Sequence, residues 1–226
     1  MPALASAWQI KAETFTKFAF YSAPLTKNIS IISLNTLLWS PENKYARSCK
    51  HEKSLGLLQL RWLHGQLKMA RKKSQVIIII GHLPESFYFD SCRRLWNKML
   101  FRFRSMIAFQ TMGHIHQDII DVSVFKGAPS VPVLIAPGLS PSTNRPAFRI
   151  LKVNELRGIL EEIRQYYAPG MPESNQFEME YDSKNGLLGE FFQDGISIPQ
   201  IIRLQRKSLS SSGTRLMLQR YQNVCY

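Results

Sequence analysis

Residues 77–86, IIIIGHLPES, change character abruptly: four isoleucines give way to a glycine, a histidine and a proline. With Val76 in front, the isoleucines form a short run that is apolar on both faces. That pattern belongs to a strand of a parallel sheet covered by helices on each side. Upstream, ISIISLNTLLW (29–39) is β-branched and apolar and reads as another strand. Between the two, Leu60, Leu63, Leu67 and Ala70 recur at helical spacing, in a helix beginning near Leu57 and closed by Arg71, Lys72 and Lys73. Strand, helix, strand in that order predicts a crossover unit, and the polar stretch SPENKYARSCKHEKS (40–54) is a long loop.

Downstream, Leu95, Trp96, Met99, Leu100 and Phe103 predict a second amphipathic helix, whose other face carries Arg93, Arg94, Lys98 and Arg102. SMIAFQTM (105–112) follows as a strand and delivers GHIHQD (113–118). IIDVSVF, VPVLIAP and AFRILKV are three further strand candidates with Pro and Gly between them. The final stretch offers a strand in FEMEY (177–181), helices in IPQIIRLQRKS (198–208) and TRLMLQRYQNV (214–224), and a loop in SLSSSGT (208–214). The fold class expected is α/β: a mixed sheet flanked by helices, followed by a small C-terminal helical lobe.

The 226 residues, 45% hydrophobic and 20% charged, suffice for a substantial core. The longest aliphatic stretch, Val76–Ile80, is far short of the ~20 apolar residues of a membrane span, so no transmembrane helix is expected. MPALASAWQIKAETF lacks the basic and apolar regions of a signal peptide. Cys49, Cys92 and Cys225 permit one disulfide with a free thiol, or a fully reduced chain. Asn28-Ile29-Ser30 fits an N-glycosylation acceptor. The net charge of +13 favours polyanions or an anionic membrane surface. The cations fall in separate clusters with no aromatic stacking platform between them, so nucleic acid is not expected as the partner.

The two Gly-His pairs carry the chemistry. Ligands of α/β sheets gather at the carboxyl ends of strands. His82 ends one strand, and His114 and His116 end the next. In an extended chain, residues i and i+2 point the same way about 6.5 Å apart, so these imidazoles are expected to face one metal cluster at a common rim. Gly81 and Gly113 are read as the points where the backbone turns or passes close to that cluster. His51, in a loop, and His64, in a helix, read as structural. Asp118 reads first as a surface aspartate, and otherwise as an anchor for the second nitrogen of a ligand imidazole.

Taken in order, ISLNTLLW, LQLRWLHGQL, IIIIGHLPES, MGHIHQD, VLIAPGLSPSTNRPAFRI and QYYAP resemble the acid sphingomyelinase-like phosphodiesterases of the calcineurin-like metallophosphoesterase superfamily. Residues 1–167 correspond to the C-terminal half of that phosphoesterase domain, with the likeness starting near residue 20. Residues 168–226 correspond to the family's C-terminal helical lobe. Endopolyphosphatases share SLNT, GH-x-P and the second GH and form the rival reading. The resemblance implies phosphodiester hydrolysis on sphingomyelin, a related phospholipid or a small phosphodiester. It also implies His82, His114 and His116 as metal ligands, two zinc ions in the intact family, and a secreted or lysosomal location.

The family's remaining ligands come from Asp-x-His, a bridging Asp and Gly-Asn-His. This chain contains no Asp-x-His and no Asn-His pair. A bridging carboxylate helps hold two dications together against their repulsion. The expectation is therefore a truncated chain that holds at most one zinc ion, with weak stability and little turnover, and no catalytic residue is assigned in it. A catalytically inactive remnant or interaction module is the alternative.

Overall fold

The computed structural model describes residues 13–139, 146–169 and 176–210. Expectations for the first twelve residues, for residues 140–145 of the VLIAPGLSPSTNRPAFRI element, and for TRLMLQRYQNV and Cys225 lie outside the described residues. The chain forms two compact units: Met1–Met112 with Val124–Val131, and Gly113–Ser123 with Pro132–Tyr226.

The first unit opens with α1 (Glu13–Phe18), β1 (Tyr21–Pro24) and β2 (Ile29–Ser33). Then come α2 (Leu55–Lys72), β3 (Val76–Ile80), α3 (Asp90–Phe103) and β4 (Ile107–Met112). With β5 (Ile119–Phe125) and β6 (Ala128–Ile135), the strands make a six-stranded sheet in the order β1-β2-β3-β4-β6-β5. The isoleucine strand β3 lies between β2 and β4, parallel to both, while β1 runs antiparallel at the edge. Ile77, Ile78 and Ile79 are all buried, as a strand covered on both faces requires. The mixed sheet flanked by helices is the fold class expected.

The expected strand over 29–39 is shorter. It stops at Ser33, and Thr36–Trp39 form a turn of 3₁₀ helix. Asn35 accounts for the break: its N–H donates to Gln59 Oε1 (2.8 Å), its carbonyl accepts from Gln59 Nε2 (3.1 Å), and its Nδ2 donates to the Phe18 carbonyl (3.0 Å). The backbone is thereby satisfied by a side chain of α2 rather than by a neighbouring strand. Helix α2 begins at Leu55, two residues earlier than its apolar periodicity indicates, because Ser54 caps it by accepting from Leu57 N.

An aromatic cluster fixes the polar loop. Trp39 and Trp96 are fully buried, their rings 5.3 Å apart, and Tyr88 stands 5.0 Å from Trp39. Trp39 Nε1 donates to the Gly56 carbonyl at 2.9 Å. A Cβ on Gly56 would lie 2.7 Å from both Leu38 O and Trp39 Cδ1, so the helix can approach the indole only with glycine there. Gly56→Ala is expected to destabilise the chain by about 1–3 kcal/mol through this overpacking, measured as a lowered urea midpoint. A disulfide joins Cys49, in the loop, to Cys92, in the first turn of α3. Of the two states the cysteine count leaves open, this is the oxidised one.

In the second unit β7 (Ala147–Asn154), β8 (Ile159–Tyr167) and β9 (Glu178–Asp182) form an antiparallel sheet with β8 in the middle. Helices α4 (Gly186–Phe192) and α5 (Ile198–Ser210) follow, and α5 extends over the first residues of the SLSSSGT stretch. Sequence reading places strands at AFRILKV and FEMEY but none at ILEEIRQYY, where charged residues interrupt the apolar pattern. The strand forms there because its buried polar groups are paired. Glu162 is bound by Arg164, and Gln165 is held on both sides by Arg149 and Glu180.

Candidate functional site

In the first unit Thr36 and Gly81 set the end of β3. Gly81 N–H donates to the Thr111 carbonyl, extending the ladder one residue past the strand (3.0 Å). A Cβ on Gly81 would lie 2.8 Å from Thr36 Cγ2 and 2.9 Å from Met112 Sδ, so glycine serves here for close approach. The Thr36 hydroxyl oxygen accepts from His82 N (3.2 Å) and Leu83 N (2.8 Å) and turns the chain out of the sheet. His82 is exposed where β3 ends. Sequence reading missed Thr36, which lies inside an apparent strand; the SLNT element contains it.

In the second unit the His-x-His segment departs from the extended geometry expected. His114 has φ +74° and His116 φ +52°, both in the left-handed region. Ile115 N–H donates to the Gly113 carbonyl at 2.9 Å, a γ-turn with His114 at its centre. The turn thus falls on the histidine, and not on Gly113 as the sequence suggests. A side chain at positive φ is costly, of order 1–3 kcal/mol, and persists only where its surroundings over-determine it. Here two histidines two residues apart adopt it.

The ring of His116 lies against Gly138, where a Cβ would stand 2.7 Å from its Cγ and 2.9 Å from its Nδ1. The Gly138 carbonyl accepts from Ala147 N (2.9 Å), the first residue of β7. Two residues along β7, Arg149 ion-pairs through Nη2 with Asp118, which is itself two residues beyond His116. Tyr181 on β9 donates its hydroxyl to the other Asp118 oxygen at 2.6 Å. Arg149 also donates to Gln165 Oε1, from Nε at 3.1 Å and from Nη2 at 2.7 Å.

Asp118 is therefore buried, 6% exposed, and the surface reading is corrected. An arginine thirty-one residues away in sequence neutralises it, which no local pattern reveals. Burial, reinforced by the Asp118 carboxylate, pushes the Tyr181 hydroxyl well above its ordinary range and keeps it a donor.

Two expectations follow. Gly138→Ala must displace the His116 imidazole, detected as a shifted ring signal in side-chain ¹H–¹⁵N spectra, with a loss of about 1–3 kcal/mol. Because the folded-state Tyr181 ionises at higher pH than an unfolded tyrosine, its contribution is intact below about pH 10 and lost as pH rises beyond that. Tyr88, buried and raised in the same way, adds to that loss. Tyr181→Phe should make the alkaline fall in stability shallower, measured by urea unfolding at a series of pH values.

Among the described residues, no three His, Cys, Asp or Glu side chains gather into a group able to hold a metal ion. The imidazole nitrogens of His82, His114 and His116 are of the kind zinc takes, and no catalytic step through a metal is derived from them. Also among the described residues, no helix is long and apolar enough to cross a membrane.

No protein-family model matches the chain. Relatives are nonetheless clear. Over 68% of its length the chain is 31% identical to the cyclic GMP-AMP phosphodiesterase SMPDL3A of Rattus norvegicus, covering 38% of that protein. It is 27% identical to the sphingomyelin phosphodiesterase of Homo sapiens over 67% of this chain and 25% of that one. It is 29% identical to the endopolyphosphatase of Cryptococcus neoformans over 47% of this chain and 16% of that one. The chain therefore spans well under half the length of these relatives. Its homologues are sphingomyelinase-like phosphodiesterases and endopolyphosphatases.

Proposed function

We propose that this chain is the histidine-bearing part of a zinc-dependent phosphoric diester hydrolase of the sphingomyelinase-like kind, acting on sphingomyelin or a related phosphodiester. His82, His114 and His116 are the donors it contributes. The single observation that carries this reading is the pair of left-handed histidines in one Gly-His-x-His segment, with the His116 ring packed on Gly138 and Asp118, two residues on, held by Arg149 and Tyr181. Strain of that kind collects at working sites. The sphingomyelinase-like relatives match over 67–74% of the chain, against 44–50% for the fungal endopolyphosphatases, which supports the former as the template for this reading.

The Asp-x-His and Asn-His ligands of the intact family are absent from this sequence. The carboxylates of a two-metal site would have to come from elsewhere. The Cys49–Cys92 disulfide supports an oxidising compartment, secreted or lysosomal. Asn28, exposed and followed by Ile29-Ser30, is compatible with glycosylation there.

A chimera tests the assignment. The matching segment of the rat phosphodiesterase is replaced by that of this chain, and turnover of bis(p-nitrophenyl) phosphate is measured with added zinc. The expected result is zinc-dependent hydrolysis that falls by at least 100-fold with His114→Ala or His116→Ala, on the order of the loss expected when a metal site is dismantled. A folded chimera that is inactive, or one indifferent to both substitutions, overturns the assignment.

A further inference from the structure

We propose that the face formed by α2 and α3 in the first unit is a docking surface for an anionic phospholipid bilayer.

The sequence of the two helices is unusual in its charge. α2, LGLLQLRWLHGQLKMARK, contains no Asp or Glu, and carries Arg61, Lys68, Arg71 and Lys72. α3 adds Arg93, Arg94, Lys98 and Arg102 against one acid, Asp90, which pairs with Arg93 at 2.5 Å. Eight of the chain's 29 cationic side chains thus sit on two neighbouring helices with one carboxylate between them. Among the described residues, no ion pair engages any of the α2 cations. Arg71 and Arg102 instead lie over the ring of Phe103, 4.4 and 5.8 Å from its centroid, and Arg71 Nη2 donates to the Arg102 carbonyl at 2.9 Å.

Charge alone would fit any polyanion. The surface between these cations is apolar, however. One hollow of about 270 Å³ is walled by Leu57, Leu60, Leu95, Met99 and Phe103, with Arg61, Lys98 and Arg102 around it. A second, of about 650 Å³, shares Phe103 and Arg102 and adds Trp62 and Met69. Leu58, Leu95 and Met69 are 40–48% exposed. A bare polyanion makes no use of these hollows, and an uncharged apolar partner makes no use of the cations. An anionic lipid surface uses both: acyl chains meet the leucines and methionine while long Lys and Arg stems reach the headgroups. His64, on the wall of the smaller hollow, is held below its usual range by burial and then by Lys68 and Arg102, in keeping with a positive local field.

The test is sedimentation of the full chain with phosphatidylcholine vesicles, with and without phosphatidylserine. Binding is expected only with phosphatidylserine and should weaken with salt. Arg61→Glu, Lys68→Glu, Lys98→Glu and Arg102→Glu together should reduce it on the order of 1,000-fold, whereas Lys152→Glu with Arg157→Glu, in the other unit, should leave it unchanged. Leu95→Asn with Met69→Gln should weaken vesicle binding about 10-fold while leaving heparin binding intact. Should the charge-reversed chain fail to fold, brominated acyl chains in the vesicles give the second measurement: they should quench Trp62 fluorescence, and Trp62→Phe should remove that quenching. Equal binding to neutral vesicles, unimpaired binding by the charge-reversed chain, indifference to the Leu95 and Met69 changes, or absence of Trp62 quenching would each overturn the proposal. Indifference to the apolar changes would leave a polyanion surface in its place.

Discussion

Arg149→Met is expected to cost the second unit about 3–5 kcal/mol, the usual loss when one partner of a buried ion pair is removed and the other charge stays behind. Asp118 and Arg149 each have side chains only 4% exposed. Without the guanidinium, the Asp118 carboxylate keeps, among the described residues, the Tyr181 hydroxyl, and Gln165 loses two donors. Arg149→Lys should recover little, because an ammonium presents one point charge where the fork serves Asp118 and Gln165 together. Replacing Asp118, Arg149 and Tyr181 together, as Asp118→Leu, Arg149→Met and Tyr181→Phe, should be milder than Arg149→Met alone, because the Asp118 carboxylate is no longer left uncompensated. Urea unfolding followed by circular dichroism measures the set. A triple variant less stable than the single one would contradict this view of the network.

The second large effect is on the first unit. The Cys49–Cys92 disulfide closes a loop of 43 residues, and loop closure of that length stabilises by about 4 kcal/mol in the chain-entropy model. The native contacts around it reinforce the constraint, since Cys49 N–H donates to Ser91 Oγ at 3.0 Å and Cys92 is fully buried. Cys49→Ala with Cys92→Ala, or reduction of the natural chain, should lower the thermal midpoint by at least 10 °C, since about 1 kcal/mol shifts it by a few degrees in a domain of this size. A midpoint unchanged by dithiothreitol would show that the aromatic cluster holds the loop alone.

Where periodicity ruled, the fold was legible. Val76–Ile80 and the Leu60, Leu63, Leu67, Ala70 stripe show the clean patterns that burial on two faces or one imposes, and both elements form where expected. Where polar side chains replace neighbouring strands, the local pattern misleads. Asn35 ends β2 through its bonds to Gln59 and Phe18, and β8 carries buried Glu162 and Gln165 at the centre of a sheet.

The candidate site was legible as composition and not as geometry. The Gly-His repeats mark the strand ends. The backbone at His114 and His116 is left-handed, the His116 ring packs on Gly138, and Asp118, two residues on, is held by Arg149 and Tyr181 from a sheet whose middle strand carries no local signal. Asp118 makes the same point: its burial depends on an arginine on β7 and a tyrosine on β9, and a sequence window around HQD contains neither.

The donor set itself is tested most directly by the zinc content of purified protein, natural chain against His82→Ala, His114→Ala, His116→Ala, measured by mass spectrometry after equilibrium dialysis. The prediction is zinc held in the micromolar to millimolar range of free metal by the natural chain, roughly the strength of an open and incomplete site, and lost from the triple variant. Zinc retained equally by both chains, or by neither, would contradict the assignment of these three imidazoles.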